Sequence, residues 1–146
     1  MCCIRKATAD DLIRIAEIEI FNYRLNFYPI FQNDDFYFNE LQVPAVAERY
    51  RDAADHILVY DDGAVKGFLF AEGQQVKKLF VEPVLQGQHI GAALLEYAME
   101  QLNVTFLWAL EKNVRAIAFY KRHGFRITDD RQPEDDTDEY LVRLER

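Results

Sequence analysis

The sequence predicts a mixed α/β fold, a mostly antiparallel sheet of roughly six to seven strands with about four helices. Three observations predict it. Residues 56–81 hold three short apolar runs separated by Asp61-Asp62-Gly63 and Gly73-Gln74, the pattern of an antiparallel meander. Residues 90–110 then change period. Helix-spaced Ile90, Leu94, Ala98 and Leu102 give way to the continuous run Phe106-Leu107-Trp108-Ala109-Leu110, a helix leading into a strand. The 146 residues are 50% hydrophobic, enough core for one compact domain over residues 1–146 and too little chain for two.

Each element follows from local pattern. Cys3-Ile4-Arg5-Lys6-Ala7 alternates and reads as a short first strand. Thr8 with Asp11 three residues on is a capping-box arrangement, Asp replacing the usual Glu, and it opens a helix to about Asn22. The apolar stripe of that helix is Leu12, Ile13, Ile15, Ala16 and Ile20, with Glu19 inside it. Residues 21–38 hold eight of the 20 aromatic residues, and Pro29 and Asn33-Asp34-Asp35 break any continuous helix there. The stretch reads equally as pocket lining or as core. Pro44 opens a helix to about Ala54. Ile57–Tyr60, Val65–Glu72 and Gln75–Val81 are the strands of the meander. A helix over Ile90–Leu102 precedes Phe106–Leu110, whose unbroken apolar run predicts a strand buried on both faces. Asn113 caps a last helix through His123, closed by Gly124 with Phe125 beyond it. Phe125–Ile127 and Glu139–Leu144 complete the sheet.

Composition narrows the function. Seventeen Lys and Arg against 25 Asp and Glu give a net charge of -8, which disfavours nucleic acid and anionic membranes as partners. No apolar run reaches the roughly 18 residues of a membrane span. The N-terminus turns charged too early for a signal peptide. The two cysteines, Cys2 and Cys3, are adjacent and cannot make a disulfide framework, so a reducing cytoplasm is the expected setting. Adjacent thiols can bind a soft metal, but with no further cysteine the plainer reading is a first strand, and no metal site is expected.

The first segment that carries chemistry runs from Val81 to Leu95. Pro83 ends a strand, a loop with Gly87 enters a helix, and Gly91, Ala92 and Ala93 leave room for another body at its first turn. The free N–H groups and dipole of a helix start make an anion site that a diphosphate fits, although such a turn also serves as plain structure. It is neither a P-loop nor a dinucleotide fingerprint.

The second segment, Asn113 to Phe125, reads Asn-x-x-Ala-x-x-Phe-Tyr-x-x-x-Gly-Phe. Together the two segments resemble the GNAT N-acetyltransferase superfamily. The first resembles its acetyl-CoA loop, Gln/Arg-x-x-Gly-x-Gly/Ala, and the second matches its following motif at every named position. Ile4-Arg5-Lys6-Ala7-Thr8-x-x-Asp11 is similar to the family's first strand and helix start. The likeness covers nearly the whole chain and is weakest between residues 22 and 55. It departs at His89, which stands where the family has its first Gly. A positive φ would suit His poorly, so the expectation is that the turn is already helical there, with the side chain pointing outward.

The resemblance implies an acetyl-CoA-dependent N-acetyltransferase, with acetyl-CoA as co-substrate. A primary amine of a small molecule or peptide N-terminus would attack directly in a ternary complex. It implies that Gln86, Gly87, Gln88, His89, Ile90, Gly91 and Ala92 hold the diphosphate through backbone N–H groups. Leu79, Phe80 and Val81 would pair with the pantetheine arm at a splayed strand edge. Asn113 would bond the pantetheine or cap its helix. Tyr120 would sit near the thioester sulfur or pack beneath Phe125. The general base is open. The strand Lys77-Lys78-Leu79-Phe80-Val81, where many members carry a glutamate, has no acid. Glu19, Glu111 and Glu72 are the candidates, beside no protein base at all. The segment Asp129–Glu139, with seven acids and one Arg, is placed in the loop between the last two strands. It reads as a solvated loop or as a lure for a cationic acceptor. The competing class is a non-catalytic acyl-CoA-binding module serving as sensor or interaction platform, against which the complete Tyr120 motif argues. Bulky Phe80 disfavours acyl donors longer than acetyl. Pairing of two copies as a homodimer stays open.

Overall fold

The structure, a computed structural model, describes residues 3–135 and 137–146. Cys2, and with it the reading of the paired thiols, lies outside the described residues. The strands are β1 (Ile4–Lys6), β2 (Ile57–Asp61), β3 (Val65–Glu72), β4 (Gln75–Val81), β5 (Phe106–Leu110), β6 (Arg126–Pro133) and β7 (Tyr140–Glu145). The helices are α1 (Leu12–Asn22), α2 (Tyr28–Phe31), α3 (Val43–Arg49), α4 (Ile90–Gln101) and α5 (Val114–Arg122). One sheet runs β1-β2-β3-β4-β5-β7-β6. Its pairs are antiparallel except β4–β5, which the α4 crossover makes parallel. The mixed, mostly antiparallel sheet is the one the change of period predicts.

Two cores cover the two faces of the sheet. On one, Ile15, Ile18 and Ala16 of α1 and Val46 of α3 pack with Val59 and Phe68. On the other, Leu94, Leu95 and Ala98 of α4 and Ile117 and Tyr120 of α5 pack with Leu69, Leu107 and Phe125. Because α1 lies between the sheet and α3, its buried stripe is displaced from the expected one. Ile13 is 56% exposed, whereas Ile18, Glu19 and Asn22 are buried.

Four expectations are corrected. The helix does not end at Asn22. It continues through a wide turn, Tyr23–Phe27, where the Tyr28 N–H reaches the Tyr23 carbonyl five residues back, and then through α2. Pro29 falls in the first turn of α2, where a missing N–H costs little, and the break comes at Gln32 with φ +52°. The expected Pro44–Ala54 helix is shorter, giving way after Arg49 to a 3₁₀ stretch over Arg51–His56. In β5, Leu107 and Leu110 are buried, but Trp108 and Ala109, on opposite faces, are only half-buried where the strand borders a cleft. Finally, β6 runs on to Pro133, so Asp129, Asp130 and Arg131 are strand residues rather than loop. A register shift between Ile127 and Arg131 and a charged, exposed outer row suit an edge strand that must not pair further.

At the start of α1, Asp11 accepts from the Thr8 N–H at 2.8 Å and takes two bonds from Arg5, at 2.8 and 3.0 Å. Arg5 also bonds Asp61 in β2 at 2.9 Å, so one guanidinium ties the first strand, the helix start and the second strand. Chiefly through its hydrogen bonds, Arg5 holds the Asp11 carboxyl below the usual carboxylate range. A depressed folded-state pKa gives stability that is present above the unfolded value of about 3.9 and lost as pH falls through the folded one. Asp11→Asn should therefore cost about 1 kcal/mol at pH 7. The gap from wild type should close below about pH 4, as measured by urea unfolding across pH. A gap that stays constant down to pH 2 would show that the charge of Asp11 is not what stabilises.

Candidate active site

Strands β4 and β5 pair only at Gln75↔Phe106 and Val76↔Leu107, and beyond Val76 they part. A bulge marks the parting. Phe70 faces Lys78 and Ala71 faces Val76, leaving Lys77 as the extra residue of β4. The bulge breaks the alternation of the strand, so Val76 and Leu79 pack toward α4 and α5 while Phe80 packs toward α1.

Beyond the bulge, the backbone of β4 divides its groups between two edges. The Glu82 N–H bonds the Lys66 carbonyl at 2.9 Å, and the Phe80 carbonyl lies against Gly67, so residues 80 and 82 face β3. By the antiparallel alternation, Leu79 and Val81 turn their N–H and C=O groups to the open edge. The Val81 carbonyl is taken there, accepting from Asn22 Nδ2 at 2.8 Å and from Gln86 Nε2 at 3.4 Å. The N–H and C=O of Leu79 and the N–H of Val81 have no partner among the described residues. Of the three expected partners for an extended ligand, Phe80 therefore offers its ring rather than its backbone.

The parted strands open a cleft of about 850 Å³. Lys78, Leu79, Phe80, Trp108 and Ala109 line it from the sheet, and Asn113, Ala116 and Tyr120 from α5 and the turn before it. Tyr23, Phe27, Phe31, Phe36 and Tyr37 supply an aromatic wall that is also packed into the α1–α3 core, so the aromatic stretch serves both expected ends. Tyr23 meets Phe27 edge-on at 4.9 Å and Phe80 at 5.6 Å. Glu40 and the hairpin acids Glu134, Asp135, Asp138 and Glu139 line the same cleft. Burial first, then the Tyr23 phenol and the Glu134 charge, push the Tyr37 phenol up to about 12, so the hairpin lies within electrostatic reach of the aromatic wall.

Tyr120 is 8% exposed and packs edge-on to Phe119 and Phe125, at 5.2 and 5.8 Å. Its hydroxyl makes no hydrogen bond among the described residues, and burial raises its pKa. Asn113 caps α5, its Oδ1 accepting from the Ala116 N–H at 3.3 Å, and lines the cleft as well. At the start of α4 the first intrahelical bond runs from the Ala93 N–H to the His89 carbonyl at 3.0 Å. The N–H groups of Ile90, Gly91 and Ala92 are thus left without an acceptor among the described residues. Gly87 has φ +88°.

His89 corrects the expected geometry. Its φ is +65°, so the turn is left-handed there and not yet helical, and the family's Gly position is held by a residue with a Cβ. A Cβ at Gly91 would lie 3.6 Å from Val81 and 3.7 Å from Phe119, ordinary van der Waals contact within the chain.

None of the three acids considered as base lines the cleft. Glu19 is fully buried, and its Oε1 accepts from the Tyr50 hydroxyl and, at 2.9 Å, from Lys78 Nζ. Its Oε2 is buried without a hydrogen-bond partner among the described residues, and it reaches the cleft only through Lys78. Glu111 is exposed and takes two bonds of 3.0 Å from Arg131, whose guanidinium stacks over Tyr140 at 3.7 Å. The neighbouring Lys112 bonds Glu139 of the hairpin at 3.0 Å. Glu72 sits opposite Gln75, at the closed end of the strands. Sequence reasoning missed Asn22, Tyr50 and Lys78, whereas Glu134 lies in the acidic segment it had marked. A polar residue at helical spacing on a buried stripe was the available signal for Asn22. Nothing local marked the others.

A family model described as an acetyltransferase (GNAT) domain matches residues 52–127. The peptidyl-lysine N-acetyltransferase YjaB of Salmonella typhimurium is 33% identical over 72 residues, 49% of this chain and 50% of that protein. The chain thus matches about half the length of this curated relative. The solution structure of apo YjaB from Escherichia coli superposes with a TM-score of 0.73 at 23% identity, covering 97% of this chain and 95% of that one. The phosphinothricin acetyltransferase of Sinorhizobium meliloti, solved with acetyl-CoA, gives 0.69 at 18% identity, covering 98% and 86%.

A left-handed non-glycine residue costs on the order of 1 kcal/mol or more. His89→Gly should hold or raise Tm by a few degrees, and His89→Val, stiff at its β-carbon, should lower it. Calorimetry of the two variants checks this. A clear fall in Tm with Gly would show that the imidazole makes a stabilising contact that outweighs the strain.

Proposed function

The chain belongs to the GNAT acetyltransferase family, and on that premise we propose that it transfers the acetyl group of acetyl-CoA to a primary amine. The observation that carries this reading is the unbonded hydroxyl of buried Tyr120 in a cleft that also offers an open strand edge. The residues fit the co-substrate. Three unpaired N–H groups at the start of α4 suit a diphosphate. The free N–H and C=O of Leu79, with the N–H of Val81, suit an arm that carries amides. When bound, acetyl-CoA supplies an activated acyl thioester.

The chain's own groups then have defined tasks. The Tyr120 hydroxyl is a hydrogen-bond donor toward the departing sulfur. A phenol near pKa 10 is a weaker acid than a thiol near 8.5, and burial raises Tyr120 further, so it stays protonated and stabilises the leaving thiolate chiefly as a donor. The acceptor arrives as a cation and must shed a proton. Glu134, Asp135 and Asp138 favour a cation, and the aromatic wall with Phe27 and Tyr37 suits one. Water beside the hairpin carboxylates takes the proton in this reading. Glu111 is occupied by Arg131, Glu72 is remote, and Glu19 joins the cleft only through Lys78. An acidic, aromatic cleft favours an ammonium on a flexible apolar stem. The lysine side chain implied by the name of the Salmonella relative is of that kind.

Tyr120→Phe keeps the ring and removes only the oxygen. With a lysine-bearing peptide as acceptor, kcat should fall at least about tenfold. CoA affinity and Tm should stay near wild type, because the hydroxyl makes no bond within the fold. Wild-type turnover in this variant, with chemistry rate-limiting, would remove Tyr120 from the reaction. Exchanging Glu134 and Asp138 for Gln and Asn should raise KM for the peptide and weaken its dependence on salt, leaving CoA affinity unchanged. An unchanged KM would show that the hairpin does not meet the acceptor.

A further inference from the structure

The two features suited to CoA are separate pieces of backbone. One is the open edge of β4, ending at Val81. The other is the start of α4, entered from Gln86. A ligand that uses both at once gains from each only if their separation and angle are held in advance. A buried side chain spans the gap, beside a longer direct bond of 3.4 Å from Gln86 Nε2 to the Val81 carbonyl. Asn22, the last residue of α1, is 2% exposed. Its Nδ2 donates to the Val81 carbonyl and to the Ile18 carbonyl, both at 2.8 Å. Its Oδ1 accepts from Gln86 Nε2 at 3.0 Å and from Asn26 Nδ2 at 3.3 Å. Both donors and both acceptor sites of the amide are used, so its orientation is fixed.

We propose that Asn22 is a positioning residue for the co-substrate, a strut that locks the end of the β4 edge to the first residue of the α4 loop. In this role the Gln86 side chain is the other half of the strut and points into the protein rather than at the diphosphate. By occupying the Val81 carbonyl, Asn22 also leaves Leu79 and the Val81 N–H as the groups open to an arm. The inference rests on the acetyl-CoA reading above and goes beyond it by assigning a residue that touches neither substrate.

The test compares two ligands on three proteins. CoA uses both features, whereas ADP carries the diphosphate without the pantetheine arm and uses only the loop. Calorimetric Kd values are measured for wild type, Gln86→Ala and Asn22→Ala, well below each Tm. Loss of the strut should raise Kd for CoA about tenfold while Kd for ADP changes less than about threefold. Gln86 is half-buried and its truncation leaves the core intact, so this variant decides the matter if Asn22→Ala fails to fold. Equal losses for CoA and ADP in Gln86→Ala would show that Gln86 contacts the phosphates directly, and would overturn the strut. Unchanged CoA affinity in Gln86→Ala overturns it too, while the functional reading stands. Failure of wild type to bind CoA overturns the functional reading and the strut together.

Discussion

The parting of β4 from β5 is the constraint on which the rest of the structure depends. A parallel pair needs a crossover, and the crossover here is α4, whose start must lie just beyond the end of β4. Had the two strands stayed paired along their length, the groups of Leu79 and Val81 would be spent on β5 and the α5 side chains would be sealed beneath the sheet. The extra residue at Lys77 lies where they part. It also turns Lys78 and Phe80 toward α1 and Leu79 toward α4 and α5, so each wall of the cleft receives a different chemistry.

The other side of the cleft is held by electrostatics in a low-dielectric setting. Glu19 is fully buried, and a carboxylate there is tolerable only because the Tyr50 hydroxyl and the Lys78 ammonium both meet it. Lys78 in turn lies near the Tyr23 and Tyr50 rings, at 5.6 and 5.4 Å from their centroids. The same cation therefore neutralises the core and borders the cleft. Glu19 makes α1, the end of α3 at Tyr50 and β4 interdependent, which is why an acid that interrupts an apolar helix face is structurally coherent in this chain.

Much of this was legible from residue patterns, for identifiable reasons. Strand and helix periods are local, so the meander, the α4 crossover and the Asn113 cap could be read directly. The motif around Tyr120 was legible because its residues are close in sequence as well as in space. The path through residues 21–38 was not. A wide turn shifts the hydrogen-bond register by one residue, and that shift lets Pro29 follow a helix that it should have ended. His89 was misread because steric preference argues against a left-handed His, whereas the loop geometry overrides that preference. Lys78 and Tyr50 act on Glu19, 59 and 31 residues away, where no local spacing can reveal them.

The hairpin after β6 has a further consequence through its fastenings. Arg131 grips Glu111 and Lys112 grips Glu139, so the acidic tip is clipped at two points to the turn that delivers Asn113 and α5. The acidic tip and the entry to the Tyr120 helix are thus one mechanical module. A chimaera that borrows a relative's hairpin inherits its charges without its anchorage, unless positions 111 and 112 travel with it. The hairpin is transplantable only as one of a pair of loops, and divergence at its base is expected to be accompanied by compensating change at those two sites.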